Sequence, residues 1–257
     1  MVDDTTILIH LKEITFAYPG APPVLDKLGL TFSRGQRIGL LGPNGSGKTT
    51  LFHVIMGLLK PTSGTIKILG KPMIKEADFI PARKRIGLVF QDADDQLFSP
   101  TVLEDVAFGP LNQGKTREEA IDISKQTLAL LGLEGYENKI THKLSGGEKK
   151  LVSLATTLSM KPEALLLDEP ANGLDEKTKE RLSSVLSDLD ISLILISHNM
   201  DFMTQLTNSI YVIDSGKIST EGIPKPHQHL HIHPFGNHSH EHKQDVGGHG
   251  QDREDKK

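Results

Sequence analysis

The sequence predicts an α/β fold, a largely parallel sheet interrupted by a helical insertion. Three observations carry that expectation. Short apolar runs alternate with helical patterns along most of the chain, several of those runs are unbroken Leu/Ile/Val, and residues 92–160 are mostly helical in character. An unbroken apolar run suits a strand buried on both faces, as in a parallel sheet with helices on either side. A chain of 257 residues is long enough for one large domain.

In order along the chain, Ile7–Phe16 and Leu28–Phe32 read as the first strands. Arg37–Leu41 is an apolar run that stops at Gly42, and Thr50–Leu59 follows with helical character. Thr65–Leu69, Ile86–Phe90, Ala164–Leu167, Leu193–Ser197 and Ile210–Asp214 are the remaining strand candidates. Within the insertion, Ala120, Ile121, Ser124, Leu128 and Leu131 space as one face of a helix. After Gly222 the composition shifts to Pro, His, Gly and charge. With few apolar residues, segment 223–257 cannot bury enough surface to fold alone and is expected to be a disordered, His-rich tail. The folded domain is expected to span residues 5–222.

Bulk properties exclude several roles. The net charge is −4, so nothing points to a nucleic-acid partner. There is no cysteine, which removes disulfides and thiolate metal sites. No basic and apolar leader opens at Met1, so no secretory signal is expected. The longest apolar runs, such as Leu193–Ile196, fall far short of the ~20 residues that cross a bilayer. Any membrane role would need other chains to do the spanning.

The strongest local signal is GPNGSGKT: Gly42, Pro43, Asn44, Gly45, Ser46, Gly47, Lys48 and Thr49, with Thr50 next. It matches G-x-x-x-x-G-K-[ST] between a predicted strand and a predicted helix, the context its mechanism requires. Backbone N–H groups freed by the glycines wrap phosphates as a nest, and the following helix turns its positive end toward them. Lys48 is expected to reach the β- and γ-phosphates, and the Thr49 hydroxyl to ligate Mg²⁺. ALLLDEP supplies a second element. Its strand delivers Asp168 at the carboxyl edge, where ligands bind in α/β sheets, to hold Mg²⁺. Glu169, one residue on, is placed to orient or deprotonate an attacking water.

LSGGEKK, Leu144 to Lys150, opens a helix. Ser145 reads as its N-cap and Glu148, three residues on, as the partner of a capping box, with Leu151, Leu154, Ala155 and Leu158 on one face. The same free N–H groups and two glycines also make an anion site. Here the sequence resembles the ATP-binding cassette (ABC) ATPases, whose signature reads LSGGQ; Glu148 stands in place of the glutamine. The rest of the family set recurs in order. FAYPG is similar to the adenine-stacking loop, with Tyr18 as the aromatic. Gln91 is similar to the Q-loop glutamine, a Mg²⁺ ligand and catalytic group in that family. NGLD, Asn172 to Asp175, resembles the D-loop, and LISHNMD places His198 as the switch histidine. The resemblance covers residues ~5–222 and implies a P-loop NTPase (RecA-like) core with an antiparallel β segment and an inserted α-helical subdomain at about 92–160. It implies ATP and Mg²⁺ as cofactors, with Lys48, Gln91, Glu169 and His198 catalytic. It also implies a head-to-tail pair of cassettes, each ATP lying between one chain's phosphate loop and Ser145, Gly146 and Gly147 of the other.

Residues 87–110, GLVFQDADDQLFSPTVLEDVAFGP, resemble the energy-coupling-factor (ECF) ATPases, which include cobalt and nickel importers; Ala93 stands where that group usually has proline. In such systems Asp92–Gln96 lies beside the groove that receives an integral-membrane subunit. Two departures stand out: Leu151 where many relatives carry arginine, and PANGLD in place of the commoner Pro-Thr-Ala/Ser-Gly-Leu-Asp. Eight of the twelve histidines lie between residues 227 and 249. His227, His229, His231, His233, His238, His240 and His242 are mostly spaced by one residue. Neutral imidazoles on a flexible strand suit Ni, Zn, Cu(II) or Co, so the tail is either a nickel or cobalt binder or a solubilising segment. The implied protein is an ATPase on the cytoplasmic face of the cell membrane, paired with a second copy or a homologous subunit, that energises nickel or cobalt import. Vitamin uptake by the same type of cassette, or a soluble non-transport ABC ATPase, are the alternatives.

Overall fold

The computed structural model describes residues 6–219. Two sheets share the strands. β1 (Ile7–Ala17), β2 (Pro23–Ser33), β4 (Ser63–Ile68) and β5 (Lys71–Pro72) make an antiparallel sheet in the order β2-β1-β4-β5. β3 (Arg37–Leu41), β6 (Ile86–Val89), β7 (Ala164–Asp168), β8 (Ser192–Ile196), β9 (Ser209–Asp214) and β10 (Lys217–Ser219) make the second, in the order β10-β9-β3-β8-β7-β6. Only β10 runs antiparallel to its neighbour there. The predicted α/β core and its antiparallel segment are both present.

The unbroken apolar strands are explained by burial on two faces. Ala164 and Leu166 of β7 enter the core shared with the antiparallel sheet, while Leu165 and Leu167 enter a second core on the opposite face. Ile194 and Ile196 of β8 divide from Leu193 and Leu195 in the same way. Period-2 side-chain alternation thus persists, but both faces are apolar.

α1 (Lys48–Ile55) follows β3, and α2 (Glu76–Arg83) precedes β6. Between β6 and β7 the α-helices are α3 (Val102–Asn112), α4 (Arg117–Leu130) and α5 (Gly146–Leu158); α6 (Glu176–Asp188) and α7 (Met200–Leu206) follow β7 and β8. Ser145 caps α5, accepting from the Glu148 amide at 3.3 Å while Glu148 Oε2 accepts from the Ser145 amide at 2.8 Å. The predicted inner face Leu151, Leu154, Ala155 and Leu158 is buried.

Most element limits shift by a residue or two from the sequence expectation, and two shift further. The helix read as Thr50–Leu59 ends at Ile55, because Gly57 at φ +69° terminates it. The Gly57 amide donates to Val54 O at 3.1 Å and the Leu58 amide to His53 O at 2.8 Å, the paired bonds of a Schellman end. β2 begins at Pro23, not Leu28. Lys27 at φ +48° and register shifts against β1 break the alternation that a period-2 reading needs.

Register brings three strand tips to one edge. Leu40 and Asp168 both lie beside Ile196 in the parallel ladder. The loops after β3, β7 and β8 therefore leave the sheet together at its carboxyl end.

Candidate functional site

The loop from Gly42 to Thr49 leaves β3 and turns directly into α1. Gly42 is forced by close approach: a Cβ there would lie 2.2 Å from the Ile213 carbonyl and 2.8 Å from Ser46 Oγ. No side chain caps the N-terminus of α1, which leaves its first amides available to an anion. Lys48 Nζ reaches back across the loop to Gly42 O at 2.8 Å and Pro43 O at 2.9 Å. Burial lowers the Lys48 pKa, opposed by the charges of Glu169 and Asp168.

Asp168 ends β7 and is almost fully buried. Burial raises its pKa, and a hydrogen bond from Thr49 is the leading opposing effect. Glu169 is likewise buried, and its pKa is raised mainly by burial. Its Oε2 accepts from the His198 amide at 3.3 Å, and its Oε1 lies 3.5 Å from His198 Nε2. The Glu169 backbone has φ +49°, a conformation that side-chain-bearing residues rarely adopt.

Tyr18, Asn44, Gly45, Gly47, Lys48, Thr49, Thr50, Gln91, Asp168, Glu169 and His198 line one cleft of about 530 Å³. The Tyr18 ring stands edge-on to Phe16, centroids 4.9 Å apart, and its hydroxyl lies 3.2 Å from Thr50 Oγ1. Gly42, Pro43 and Ser46 complete the loop behind that lining. The residues present fit a phosphate and its cation. Ser46 Oγ is buried in the loop without a hydrogen-bond partner, the glycine cradle excludes side chains, and Thr49 joins the carboxylate of Asp168.

Ser145, Gly146 and Gly147 do not line this cleft. Ser145 and Gly146 are exposed and Gly147 is half-buried. Gly146 instead lines a neighbouring cavity of about 610 Å³ that also contains Thr49, Gln91, Asp92, Lys149 and Lys150. The predicted metal ligands His227, His229, His231, His233, His238, His240 and His242 lie outside the described residues. Among the described residues no group of three or more His, Asp or Glu is placed to hold a metal.

Sequence reading missed two features of this region. The first is the support of Glu148: Tyr136 donates to its Oε1 at 2.7 Å and Lys139 at 3.2 Å, with the Lys139 ammonium 3.2 Å from the Tyr136 ring centroid. The Tyr136 bond, seconded by the Ser145 amide, lowers the Glu148 pKa to about 2. A depressed carboxyl pKa stabilises the fold above the ordinary value of 4.5, and that stabilisation is lost as pH falls through the folded value. Glu148→Gln is therefore expected to lower the melting temperature at pH 7, with a difference that shrinks as pH drops below 4.5. Thermal unfolding across pH checks this; a difference independent of pH would refute it. The second feature is Lys150, whose Nζ donates to the Glu169 carbonyl at 3.1 Å. The lysine run after the glycines signals a cation there, but no spacing rule names its partner.

A family model described as ABC transporter matches residues 25–172. The energy-coupling factor transporter ATP-binding protein EcfA of Methanothermobacter thermautotrophicus is 42% identical over 221 residues, covering 84% of this chain and 71% of that protein. The solved structure of cbiO1 from Clostridium perfringens, titled as part of the ABC transporter complex cbiONQ, superposes with a TM-score of 0.73 at 34% identity. That match covers 83% of this chain and 87% of the other. A post-hydrolysis dimer of the ATP-binding cassette MJ0796 with ADP and Pi matches at TM-score 0.76 and 25% identity, over 82% and 96% of the two chains.

Proposed function

This chain belongs to the ABC transporter ATPases and is an ATP-hydrolysing subunit of the energy-coupling-factor type, and from that premise we propose that it energises import of nickel or cobalt through a separate membrane subunit. The observation that carries the catalytic half is the meeting of Lys48, Thr49, Gln91, Asp168, Glu169 and His198 in one cleft. Lys48 and the loop amides bind the phosphates of ATP, and Tyr18 stacks on adenine. Glu169, its pKa raised by burial, takes a proton from the attacking water. His198, beside it, orients the oxygens of the transferred γ-phosphoryl group and Gln91 the water, whose oxygen bonds to the γ-phosphorus as the bond to the β–γ bridging oxygen breaks and ADP leaves. Thr49, Gln91 and Asp168 would hold Mg²⁺, which when bound neutralises charge on the phosphates.

A second cassette, a copy of this chain or a homologous subunit, completes the site. Support comes from Ser145 and Gly146, which are exposed and do not line their own chain's cleft, and from the dimeric cassette that this chain resembles. The membrane subunit docks at an apolar groove of about 280 Å³ between the sheet core and the helical insertion, lined in part by Leu58, Phe98 and Phe108. Phe98 is 68% exposed there, a large apolar surface that solvent alone does not favour. Among the described residues no helix is long and apolar enough to cross a membrane.

The metal cargo rests on the seven histidines His227–His242, whose imidazoles suit nickel or cobalt. Radioisotope uptake of Ni²⁺ and Co²⁺ in cells lacking the gene tests it. Uptake is expected to collapse without the gene and return with the full chain. A chain lacking residues 226–257 is expected to restore it with an altered dependence on metal concentration. Unchanged metal uptake in the deletion strain overturns the cargo and leaves the vitamin reading. Full restoration by the truncated chain at every metal concentration makes the tail a solubilising segment.

A further inference from the structure

Lys150 has no part in the roles above, yet it touches the candidate base. It lies in the second turn of α5, half-buried, and its Nζ donates to the Glu169 carbonyl at 3.1 Å. Glu169 holds φ +49°. A residue in that region persists only where its surroundings fix it, and such residues gather at functional sites. The two ends of the Glu169 unit are fixed. Its amide donates to Ile196 O at 3.0 Å, and its carbonyl accepts the Asn172 amide at 3.2 Å from the same loop. Lys150 adds a contact from the helical insertion. The neighbouring Leu151 is apolar and buried in the core and cannot supply it.

Ser145–Gly147 open the same helix, just before Lys150. A helix moves as a rigid rod over so short a distance, because its backbone bonds link each turn to the next. A shift of those glycines reaches Lys150 within about one and a half turns. We propose that Lys150 is a positioning residue: it ties the backbone of Glu169 to the helix that contacts the partner's ATP, and so couples the two nucleotide sites of the dimer. The coupling rests on the paired-cassette reading above; the positioning of Glu169 stands within one chain. Lys149, beside it, pairs with Asp94 at 2.6 Å, so the same helix turn also holds the segment after Gln91.

The test uses the full chain with Lys150→Met, which keeps the aliphatic stem and removes the donor, and Lys150→Arg, which keeps a donor. ATP hydrolysis is measured against ATP concentration, and nucleotide binding at equilibrium. Lys150→Met is expected to lower kcat about tenfold or more, since small misplacements of a reacting group cost that much. Nucleotide affinity should stay within about twofold, and the Hill coefficient should fall from above one toward one. Lys150→Arg should recover most of the kcat. A kcat within about twofold of the parent overturns the positioning role. A lowered kcat with an unchanged Hill coefficient, or a parent coefficient of one, overturns the coupling. A loss of nucleotide affinity that accounts for the whole effect assigns Lys150 to phosphate binding and overturns both. Failure of the paired-cassette reading is seen separately: Glu169→Gln would stay monomeric with ATP on size exclusion. That result removes the coupling and leaves kcat to decide the positioning.

Discussion

Glu169→Gln is expected to bind ATP about as tightly as the parent chain and to hydrolyse it roughly a thousandfold more slowly, the middle of the range for a positioned general base. The substitution is nearly isosteric. The amide oxygen can still accept from the His198 amide, now 3.3 Å from Glu169 Oε2, so the loop after β7 keeps its anchor. What is lost is the ability to take a proton. Burial has already raised the Glu169 pKa, which strengthens the carboxylate as a base and makes turnover of the parent chain rise with pH as that carboxyl ionises. With the γ-phosphate retained, two cassettes should remain closed on ATP, because the phosphate itself completes their interface. Single-turnover phosphate release and size exclusion with ATP measure both halves. Turnover equal to the parent would remove Glu169 from the role of base.

Lys48→Ala is expected to weaken ATP binding by about a hundredfold, corresponding to the ~3 kcal/mol of a charge-assisted contact to phosphate. Two effects add. The ammonium that faces the β- and γ-phosphates is gone, and so are its bonds to Gly42 O and Pro43 O, which brace the loop. Calorimetric titration with a non-hydrolysable ATP analogue reads the loss directly. Affinity equal to the parent would mean that the loop does not grip the phosphates through this lysine.

Much of the fold was legible along the chain, for local reasons. The runs at Arg37–Leu41, Ala164–Leu167 and Leu193–Ile196 are apolar without a break, and the sheet buries them on both faces. The capping pair Ser145 and Glu148 announced the start of α5. Where local signals conflicted, limits slipped: Gly57 ended α1 early, and the left-handed Lys27 hid the first half of β2. α2, with Pro81 inside it and little apolar periodicity, gave no clear signal. The candidate site was readable as types and order, since the phosphate loop and the Asp168-Glu169 pair carry their chemistry in contiguous residues.

The chain's own order of residues determined the phosphate loop, the carboxylates after β7 and the capped glycines of α5, because each depends on neighbours within a few positions. Only the tertiary structure decided that Lys150 grips the Glu169 carbonyl, that Tyr136 and Lys139 hold Glu148 as an anion, and that Ser145 and Gly146 stay out of the lining of their own cleft. The physical reason is distance along the chain. Parallel register brings Leu40, Asp168 and Ile196 to one edge, and contacts made there join segments whose separation no local periodicity encodes.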